Sequence, residues 1–420
     1  MRSRSMAALC CLFGVLAMGV MACGESDSGG GGGEAPESGA TVNVYSSLPL
    51  QGASRPQTTA MVQGIELAVE QAGNKAGDFK VKYESLDDST AQAGTWTPEA
   101  TSANARKVAQ DDSAVGYIGE FNSGASAISL PILNEVPVAQ VSPANTAVGL
   151  TTDEAGADTE AGEPDIYYPG GKRHYVRIVP KDTIQGAALA TLMSEDGCKN
   201  VYILNDKEVY GAGLARNIEG AAKEQGLEVL ANEGIDPKAP NFRSLAAKLK
   251  SENADCFVFS GITANGAVQL FKDVAAAVPD AKLYGPDGVA ESGFSDPAEG
   301  GIPADVQART KVTVATLSPE EYPPEGRKFF TTFEEKFGDD NPDPYAIYGY
   351  EAMQLVLNAI ESSDGSRQGV IDALFETKGR KSVLGTYDID ENGDTTLTDY
   401  GIYSIKGGEL EFDKTIKAEG

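Results

Sequence analysis

From residue 41 onward, two kinds of segment follow each other along the chain. In one kind, apolar residues alternate with polar ones, and in the other, apolar residues recur every three or four positions. Residues 41–46 alternate at Val42 and Val44, as a strand does, and residues 59–73 place Met61 and Ile65 on one helical face. The same alternation predicts further strands at 79–85, 114–119 and 137–141 and helices at 98–110 and 125–134. Strands separated by helices predict a parallel sheet that is covered on both faces.

A second unit of the same kind follows an interruption. Residues 151–171 are rich in Asp, Glu, Gly and Pro and have little periodicity, which predicts a surface insertion. Beyond it, strands are expected at 175–179, 200–205, 228–235, 256–260 and 282–285, and helices at 183–196, 211–225, 241–252 and 264–276. The pattern predicts an α/β protein of two doubly wound lobes that face each other. In such sheets a ligand binds beyond the carboxyl ends of the strands, here in the cleft between the lobes.

The first 40 residues have a different pattern. Arg2 and Arg4 precede an uncharged, mostly apolar run at 6–21, which is short for a membrane span and typical of a signal-peptide core. The run ends at Val-Met-Ala-Cys, residues 20–23, which resembles the lipobox of bacterial lipoproteins. The resemblance implies a signal peptide at 1–22 and a lipid on Cys23. Secretory cleavage nearby, which leaves Cys23 as a plain thiol, is the alternative.

A short linker follows Cys23. Residues 23–40 are rich in Gly, Ser and Glu and contain no apolar pattern. Such a composition predicts a flexible tether with a reach of about 23 Å.

Composition narrows the classes of function. The chain has 34 basic and 62 acidic residues and a net charge of −28, a sign that repels nucleic acid and anionic membrane surfaces. It has a single histidine, His174, through which any histidine-dependent catalysis would have to run. We expect His174 to be a surface or hinge residue. A binding protein without catalytic residues, cofactor or metal is therefore expected, and no nucleic acid as a partner.

Eight short segments, in order, resemble the leucine/isoleucine/valine-type substrate-binding proteins of ABC importers, which have the type I periplasmic-binding-protein fold. They are SLPLQG (47–52), GIELA (64–68), DD (87–88), IGEFNS (118–123), SPANT (142–146), NDKEVYG (205–211), GPDG (285–288) and YAIYGYE (345–351). The resemblance implies one lobe at 41–176 plus 311–388 and another at 177–310 plus 395–420. It also implies a hinge of three strands near 176–181, 309–315 and 388–396, a small-molecule ligand, and an ABC permease as a partner.

Several residues of these segments suit an α-amino acid in its zwitterionic form. Ser123 and Ser126 stand where a strand gives way to a helix, so that backbone N–H groups and hydroxyls converge on a place that favours a carboxylate. Ala144 and Thr146 follow the next strand with a carbonyl and a hydroxyl. Asp287 follows the predicted strand at 282–285 and is placed to pair with an ammonium group.

The resemblance implies ligand-binding roles for Ser123, Ala144, Thr146, Tyr210 and Asp287. Each has an alternative: a helix cap for the serines, a turn for Asp287 and surface packing for Tyr210.

The predicted side-chain pocket departs from the family pattern. Gln57 falls where the branched-chain binders carry an aromatic residue, and the region at 262–263 is one residue shorter than theirs. The resemblance therefore does not carry branched-chain specificity over to this chain.

Two further motifs bear on disulfides and metals. Cys198 lies just before one predicted strand and Cys256 begins another, and the two strands would be parallel neighbours in a flavodoxin-like order. In an exported protein we expect a disulfide between them, which would add roughly 3–4 kcal/mol to the free energy of unfolding. Cys10 and Cys11 would leave with the signal peptide. Residues 388–399 resemble an EF-hand calcium loop, but the flanks, 383–387 and 396–404, are predicted strands and Asn392-Gly393 favours a hairpin.

We therefore expect an exported, lipid-anchored solute-binding protein on the outer face of the cytoplasmic membrane. Its lobes would close on an amino acid or a related small amine or carboxylate and deliver it to a permease. A ligand sensor of the same fold is one alternative. A secreted hydrolase that uses Asp87, Asp88 and Asp287 is another.

Overall fold

The computed structural model describes residues 35–154, 157, 159–339 and 341–418. Cys10, Cys11, Cys23, the expected signal peptide and most of the expected tether lie outside the described residues. Among the helices in the described ranges, none combines the length and apolar character needed to cross a bilayer.

The strands match the predicted alternation closely. They are β1 (Thr41–Leu48), β2 (Lys75–Ala76), β3 (Phe79–Asp87), β4 (Ser89–Thr90), β5 (Thr95–Trp96), β6 (Ala114–Ile118), β7 (Ala139–Ser142), β8 (Tyr175–Arg177), β9 (Asn200–Asn205), β10 (Glu228–Gly234), β11 (Cys256–Ser260), β12 (Lys282–Gly285), β13 (Thr310–Val314), β14 (Arg380–Ser382), β15 (Gly385–Tyr387), β16 (Asp399–Lys406) and β17 (Glu409–Lys417).

Helices follow most of the parallel strands. They are α1 (Arg55–Gln71), α2 (Pro98–Ala109), α3 (Ser123–Glu135), α4 (Asp182–Glu195), α5 (Val209–Glu224), α6 (Arg243–Ser251), α7 (Ala267–Ala277), α8 (Ser292–Ser295), α9 (Ala304–Gln307), α10 (Pro324–Phe337), α11 (Ala346–Glu361) and α12 (Arg367–Phe375).

Two sheets form the cores of the two lobes. The first has the order β2-β3-β1-β6-β7-β8, and β3, β1, β6, β7 and β8 run parallel. The second has the order β10-β9-β11-β12-β13-β16-β17. Its first five strands run parallel, β16 is antiparallel to β13, and β17 is antiparallel to β16. Central strands such as β6 and β11 are buried along their whole length, because helices cover both faces. The predicted α/β fold of two lobes is confirmed.

The chain crosses between the sheets three times. The first crossing follows β8, and the third leads from β15 to β16. The second differs from the expected lobe boundary at residue 311, because Thr310–Val314 is the strand β13, paired with β12 and β16 in the second sheet. Its alternating, largely buried side chains complete that sheet before the chain returns to the first lobe over residues 315–323.

The returning segment completes the first lobe. Helix α11 packs against α1 through two glycines, each of which faces the backbone of the other helix. A Cβ atom at Gly64 would stand 2.3 Å from the carbonyl oxygen of Ala346, and a Cβ atom at Gly349 would stand 2.3 Å from the carbonyl oxygen of Met61. The absence of side chains there lets the two helix backbones approach closely.

A buried ion pair joins the first and third crossings. Arg177 Nε donates to Asp394 Oδ1 at 2.6 Å, and both side chains are buried. The other guanidinium nitrogens donate to the carbonyls of Asn145 (3.2 Å) and Ala147 (2.8 Å) and to the hydroxyl of Thr151. The guanidinium is thus surrounded by acceptors, which is what a buried charge requires.

The segment that resembles a calcium loop is a turn within the third crossing. Ile389 and Thr395 form an antiparallel bridge, and Asp390 Oδ1 accepts the backbone N–H groups of Asn392 (2.9 Å) and Asp394 (2.8 Å). Its flank at 383–387 is a hairpin of β14 and β15 rather than one strand, because the chain turns between Ser382 and Gly385.

The insertion at 151–171 is only partly a surface feature. It contains a 3-10 turn at Asp165–Tyr167, and the rings of Tyr167 and Tyr168 are buried beside Leu130 and Tyr175. The Tyr168 hydroxyl donates to the carbonyl of Leu150 at 2.7 Å. Two aromatic anchors therefore hold this loop on the first lobe.

Cys198 and Cys256 form a disulfide with Cα atoms 5.8 Å apart. Cys256 begins β11, which pairs in parallel with β9, and Cys198 lies two residues before β9. The cross-link therefore lies at the amino ends of these strands, at the opposite end of the sheet from the cleft.

Candidate ligand-binding cleft

A cavity of about 20 Å³ lies between the lobes, next to the carboxyl ends of the strands. This volume is close to what one water molecule needs, so the lobes are closed on each other and a larger ligand requires them to part. The lining residues come from both lobes and are Phe121, Asn122, Ser123, Ala144, Thr146, Tyr210, Ile262, Asp287 and Gly288.

Five of the seven expected ligand-binding residues line this cavity. They are Ser123, Ala144, Thr146, Tyr210 and Asp287. The structure thus brings together residues that span more than a third of the chain.

The first lobe contributes the start of α3. Asn122 is the residue before the helix and makes no capping bond through its side chain. As the first two helical residues, Ser123 and Gly124 have backbone N–H groups without partners inside the helix. The buried Thr146 hydroxyl has no hydrogen-bond partner among the described residues. Donors and the positive end of a helix dipole therefore meet here, an arrangement that binds a carboxylate.

The second lobe contributes Asp287, in a 3-10 turn directly after β12. The Tyr210 hydroxyl donates to Asp287 Oδ1 at 2.7 Å, and the Tyr345 hydroxyl donates to Oδ2 at 2.8 Å. Burial raises the pKa of Asp287, and these two hydroxyl donors offset part of the rise. Tyr345 immediately precedes α11 and packs edge-on against Phe121 at 6.3 Å, so its bond to Asp287 closes the cleft from the side of the first lobe.

A second carboxylate stands beside the first. Asp182 begins α4, and its backbone N–H donates to the carbonyl of Thr146 at 2.8 Å. Its side chain is fully buried, and neither carboxylate oxygen has a hydrogen-bond partner in the part of the chain that is described. Burial and the charge of Asp287 raise the pKa of Asp182 well above its ordinary value.

Sequence reasoning missed Tyr345 and Asp182. The sequence contains a signal for Tyr345, because this residue begins the YAIYGYE segment that carries part of the family resemblance. An acidic residue in the first turn of a helix is ordinarily explained by the helix dipole, so nothing in the sequence distinguished Asp182.

The other two expected residues, Ser126 and Gln57, do not line the cavity. Ser126 is buried beneath it: its hydroxyl donates to Asn145 Oδ1 and accepts the backbone N–H of Glu120 at 3.1 Å. One helical turn into α3, its side chain points back to the sheet and holds the neighbouring loops. Gln57, also buried, donates from Nε2 to the carbonyl of Ala290 in the second lobe at 3.3 Å.

The carboxylates considered for a hydrolase are not brought together. Asp87 accepts hydrogen bonds from Leu50, Gln51 and Ser89, which outweigh burial and lower its pKa. Asp88 is buried, and burial and the charge of Glu120 raise its pKa well above the ordinary value. Neither lines the cavity that contains Asp287.

His174 is not a surface residue. It is fully buried, its Nδ1 lies 2.8 Å from Asn134 Nδ2, and burial together with the charge of Arg173 lowers its pKa to about 3. The residue is a neutral core histidine next to β8, because its neighbours Tyr168 and Tyr175 cover it.

Two contacts connect the lobes at the edge of the cleft. Trp96 Nε1 donates to Glu208 Oε2 at 3.3 Å, and Arg216 Nη1 pairs with Glu160 Oε1 at 3.0 Å. A Cβ at Gly124 would stand 2.9 Å from the Trp96 ring, so the indole lies directly over the start of α3.

Two parallel-rich lobes connected by three crossings, with a cavity between them that is lined from both sides, define a type I binding protein. The chain belongs to the periplasmic binding protein family, whose model matches residues 41–409. The resemblance to leucine/isoleucine/valine-type binding proteins is confirmed by the relatives.

Two curated relatives illustrate this similarity. The Leu/Ile/Val-binding protein BraC3 of Rhizobium johnstonii is 25% identical over 386 residues, which cover 90% of this chain and 95% of the relative. The leucine-, isoleucine-, valine-, threonine- and alanine-binding protein of Pseudomonas aeruginosa is 24% identical over 374 residues, covering 86% and 89%.

Solved structures share the fold. The leucine-binding protein LivK of Thermotoga maritima superposes with a TM-score of 0.75 at 22% identity and covers 90% of this chain and 99% of its own. A solute-binding protein of an ABC transporter from R. palustris, in complex with benzoate, superposes with a TM-score of 0.72 at 21% identity, covering 90% and 97%.

Proposed function

We propose that this chain is an exported, lipid-anchored solute-binding protein of an ABC transporter, which captures an amino acid or a related small amine or carboxylate and delivers it to a permease. The observation that carries the proposal is the composition of the cavity. The start of α3, from the first lobe, offers donors for a carboxylate, and Asp287, from the second lobe, offers a carboxylate for an ammonium group.

Closure follows from this division of the site. In an open state the ligand contacts one lobe, and the contacts from the other lobe form only on closing. The ligand therefore shifts an existing open–closed equilibrium by the free energy of the added contacts. No chemistry is performed on the ligand. The names of the relatives in both comparisons, which are binding proteins, support this proposal.

A thermal-shift panel tests ligand binding. It contains the twenty amino acids, small amides and aromatic acids, the last because a structural relative was solved with benzoate. A specific ligand at 100 times its Kd stabilises the folded protein by about 2.7 kcal/mol. Asp287→Asn is expected to weaken an amino-acid ligand, and Glu335→Gln, an exposed change on α10, serves as the matched control. The absence of a response to every amine and carboxylate contradicts the proposal.

The lipid anchor is tested separately. Cys23→Ala should abolish incorporation of labelled palmitate into the protein, and Cys10→Ala should not, because that residue would leave with the signal peptide. Palmitate incorporation that survives Cys23→Ala contradicts the anchor and has no bearing on ligand binding.

A further inference from the structure

A second group of buried polar side chains meets across the lobes beside the cavity. Gln57 belongs to α1 of the first lobe, and Glu291 follows the turn that carries Asp287 in the second lobe. Gln57 is fully buried and Glu291 is 1% exposed. The carboxamide of Gln57 donates to the carbonyl of Ala290, the residue before Glu291, at 3.3 Å. We call Gln57 and Glu291 the interlobe acceptors.

The interlobe acceptors are connected to the cavity through the backbone of the second lobe. Ile262 and Gly288 line the cavity, and Thr263, next to Ile262, donates from its hydroxyl to the carbonyl of Gly288 at 3.4 Å. Glu291 lies three residues beyond Gly288. The group therefore adjoins the same cleft as Asp287 on the side towards α1.

Each unpartnered atom in this group is a hydrogen-bond acceptor. Both carboxylate oxygens of Glu291 and the carboxamide oxygen of Gln57 have no hydrogen-bond partner within the described ranges. A buried acceptor without a donor costs free energy, and a buried carboxylate costs more than a neutral group. Buried polar groups in native proteins are nearly always hydrogen-bonded, and these acceptors lie where the two lobes close on each other.

No cation among the described residues contributes to the pKa shift of Glu291. Burial raises the pKa of Glu291 to about 7, the hydroxyls of Ser54 and Thr263 lie close enough to offset part of that rise, and the like charge of Asp343 adds to it. Neither hydroxyl reaches hydrogen-bonding geometry with the carboxylate. A positively charged donor brought into this group would gain both hydrogen bonds and an ion pair.

We infer that the interlobe acceptors receive the side chain of the ligand, and that this side chain ends in a cationic donor, as in lysine, ornithine or arginine. The inference rests on the proposed function, in which the α3 start and Asp287 hold the α-carboxylate and the α-ammonium group. A branched-chain side chain would leave the three acceptor atoms buried and unpartnered. Benzoate offers no donor and adds a negative charge.

The test compares lysine with norleucine, which has the same carbon chain without the terminal ammonium group. Isothermal titration calorimetry on the mature protein measures both, together with arginine, ornithine, leucine and benzoate. Lysine or one of the other two basic amino acids should bind at least about 100-fold more tightly than norleucine, because a site built to accept hydrogen bonds rejects an analogue that lacks the donor.

Variants assign the effect to the interlobe acceptors. Glu291→Gln keeps the shape and removes the charge, so basic amino acids should lose on the order of 10-fold or more in affinity while norleucine changes little. Gln57→Met should weaken them less, and Glu335→Gln should leave every affinity unchanged. If Glu291→Gln does not fold, the ratio of lysine to norleucine in the unaltered protein still decides the question.

The outcomes separate this inference from the proposed function. If leucine, norleucine or benzoate binds and no basic amino acid does, the inference is overturned and the proposed function stands. Equal affinity for norleucine and for the tightest-binding basic amino acid, or an unchanged affinity for that amino acid in Glu291→Gln, also overturns it. If none of these six compounds binds, the inference is overturned, and the wider thermal-shift panel decides the proposed function.

Discussion

The guanidinium of Arg177 and the carboxylate of Asp394 meet at 2.6 Å although they are 217 positions apart in the sequence. One residue ends the last strand of the first sheet before the first crossing, and the other lies in the third crossing. Two of the three connections between the lobes are thus tied together by a buried charge pair. When the hinge bends, these two connections must therefore move together.

Removing one member of this pair should destabilise the protein strongly. Asp394→Asn leaves a buried guanidinium without its counter-charge, for which a loss of about 3–5 kcal/mol is expected. Urea denaturation measures the free energy of unfolding. The matched control is Glu195→Gln, which breaks the exposed pair between Glu195 and Lys414. Similar midpoints for both variants would show that the buried pair does not stabilise the hinge.

The raised pKa of Glu291 predicts how stability depends on pH. In the unfolded chain the carboxyl titrates near its ordinary value of 4.5, and in the folded protein its pKa is about 7. Between these values the folded state binds more protons, so stability falls as pH rises through this window, by roughly 3 kcal/mol for this group. Glu291→Gln should therefore be more stable than the parent at pH 8 and nearly equal at pH 4.

This comparison requires the unfolding midpoints of both proteins at the two pH values. Glu335→Gln, an exposed change, should follow the parent throughout. A difference between Glu291→Gln and the parent that is the same at pH 4 and pH 8 would contradict the prediction.

Trp96 should report closure of the lobes. It is the single tryptophan of the chain, and its indole N–H donates across the cleft to Glu208 at 3.3 Å. In the open state the indole loses this contact and meets water. We therefore expect a ligand to shift the emission to shorter wavelength and to reduce quenching by acrylamide. Trp96→Phe should abolish the signal while binding remains measurable by calorimetry. Calorimetric binding without any spectral change in the unaltered protein would refute the closure described here.

The disulfide should affect stability and not ligand affinity. Cys198 and Cys256 are separated by 58 positions in the sequence. Breaking a disulfide that closes a loop of that size is expected to lower the free energy of unfolding by about 4 kcal/mol. The cross-link lies at the amino end of β11, with the length of that strand between it and the cavity. Reduction, or Cys198→Ser together with Cys256→Ser, should lower the unfolding midpoint and leave the Kd unchanged. A Kd that rises on reduction would mean that the cross-link supports the cleft.

The repeated strands and helices were predictable because their periodicity is local and continues through both lobes. Five cavity residues were predictable because each follows a strand and belongs to a family segment, as Thr146 and Asp287 do. Asp182 and the pairing of Arg177 with Asp394 were not, since a single charged residue gives no sign of a partner far along the chain. His174 and Ser126 were misplaced because the direction of one side chain depends on packing that periodicity does not describe.

The packing of α11 on α1 has a consequence for how the protein is made. Helix α1 is synthesised early and its partner α11 near the end, so the apolar face of α1 stays uncovered while most of the chain leaves the ribosome. Neither lobe is complete in a nascent chain that stops before α11. Such a chain has no finished domain to protect it from proteases or from aggregation. Premature termination should therefore yield fragments that are degraded rather than half-proteins that accumulate.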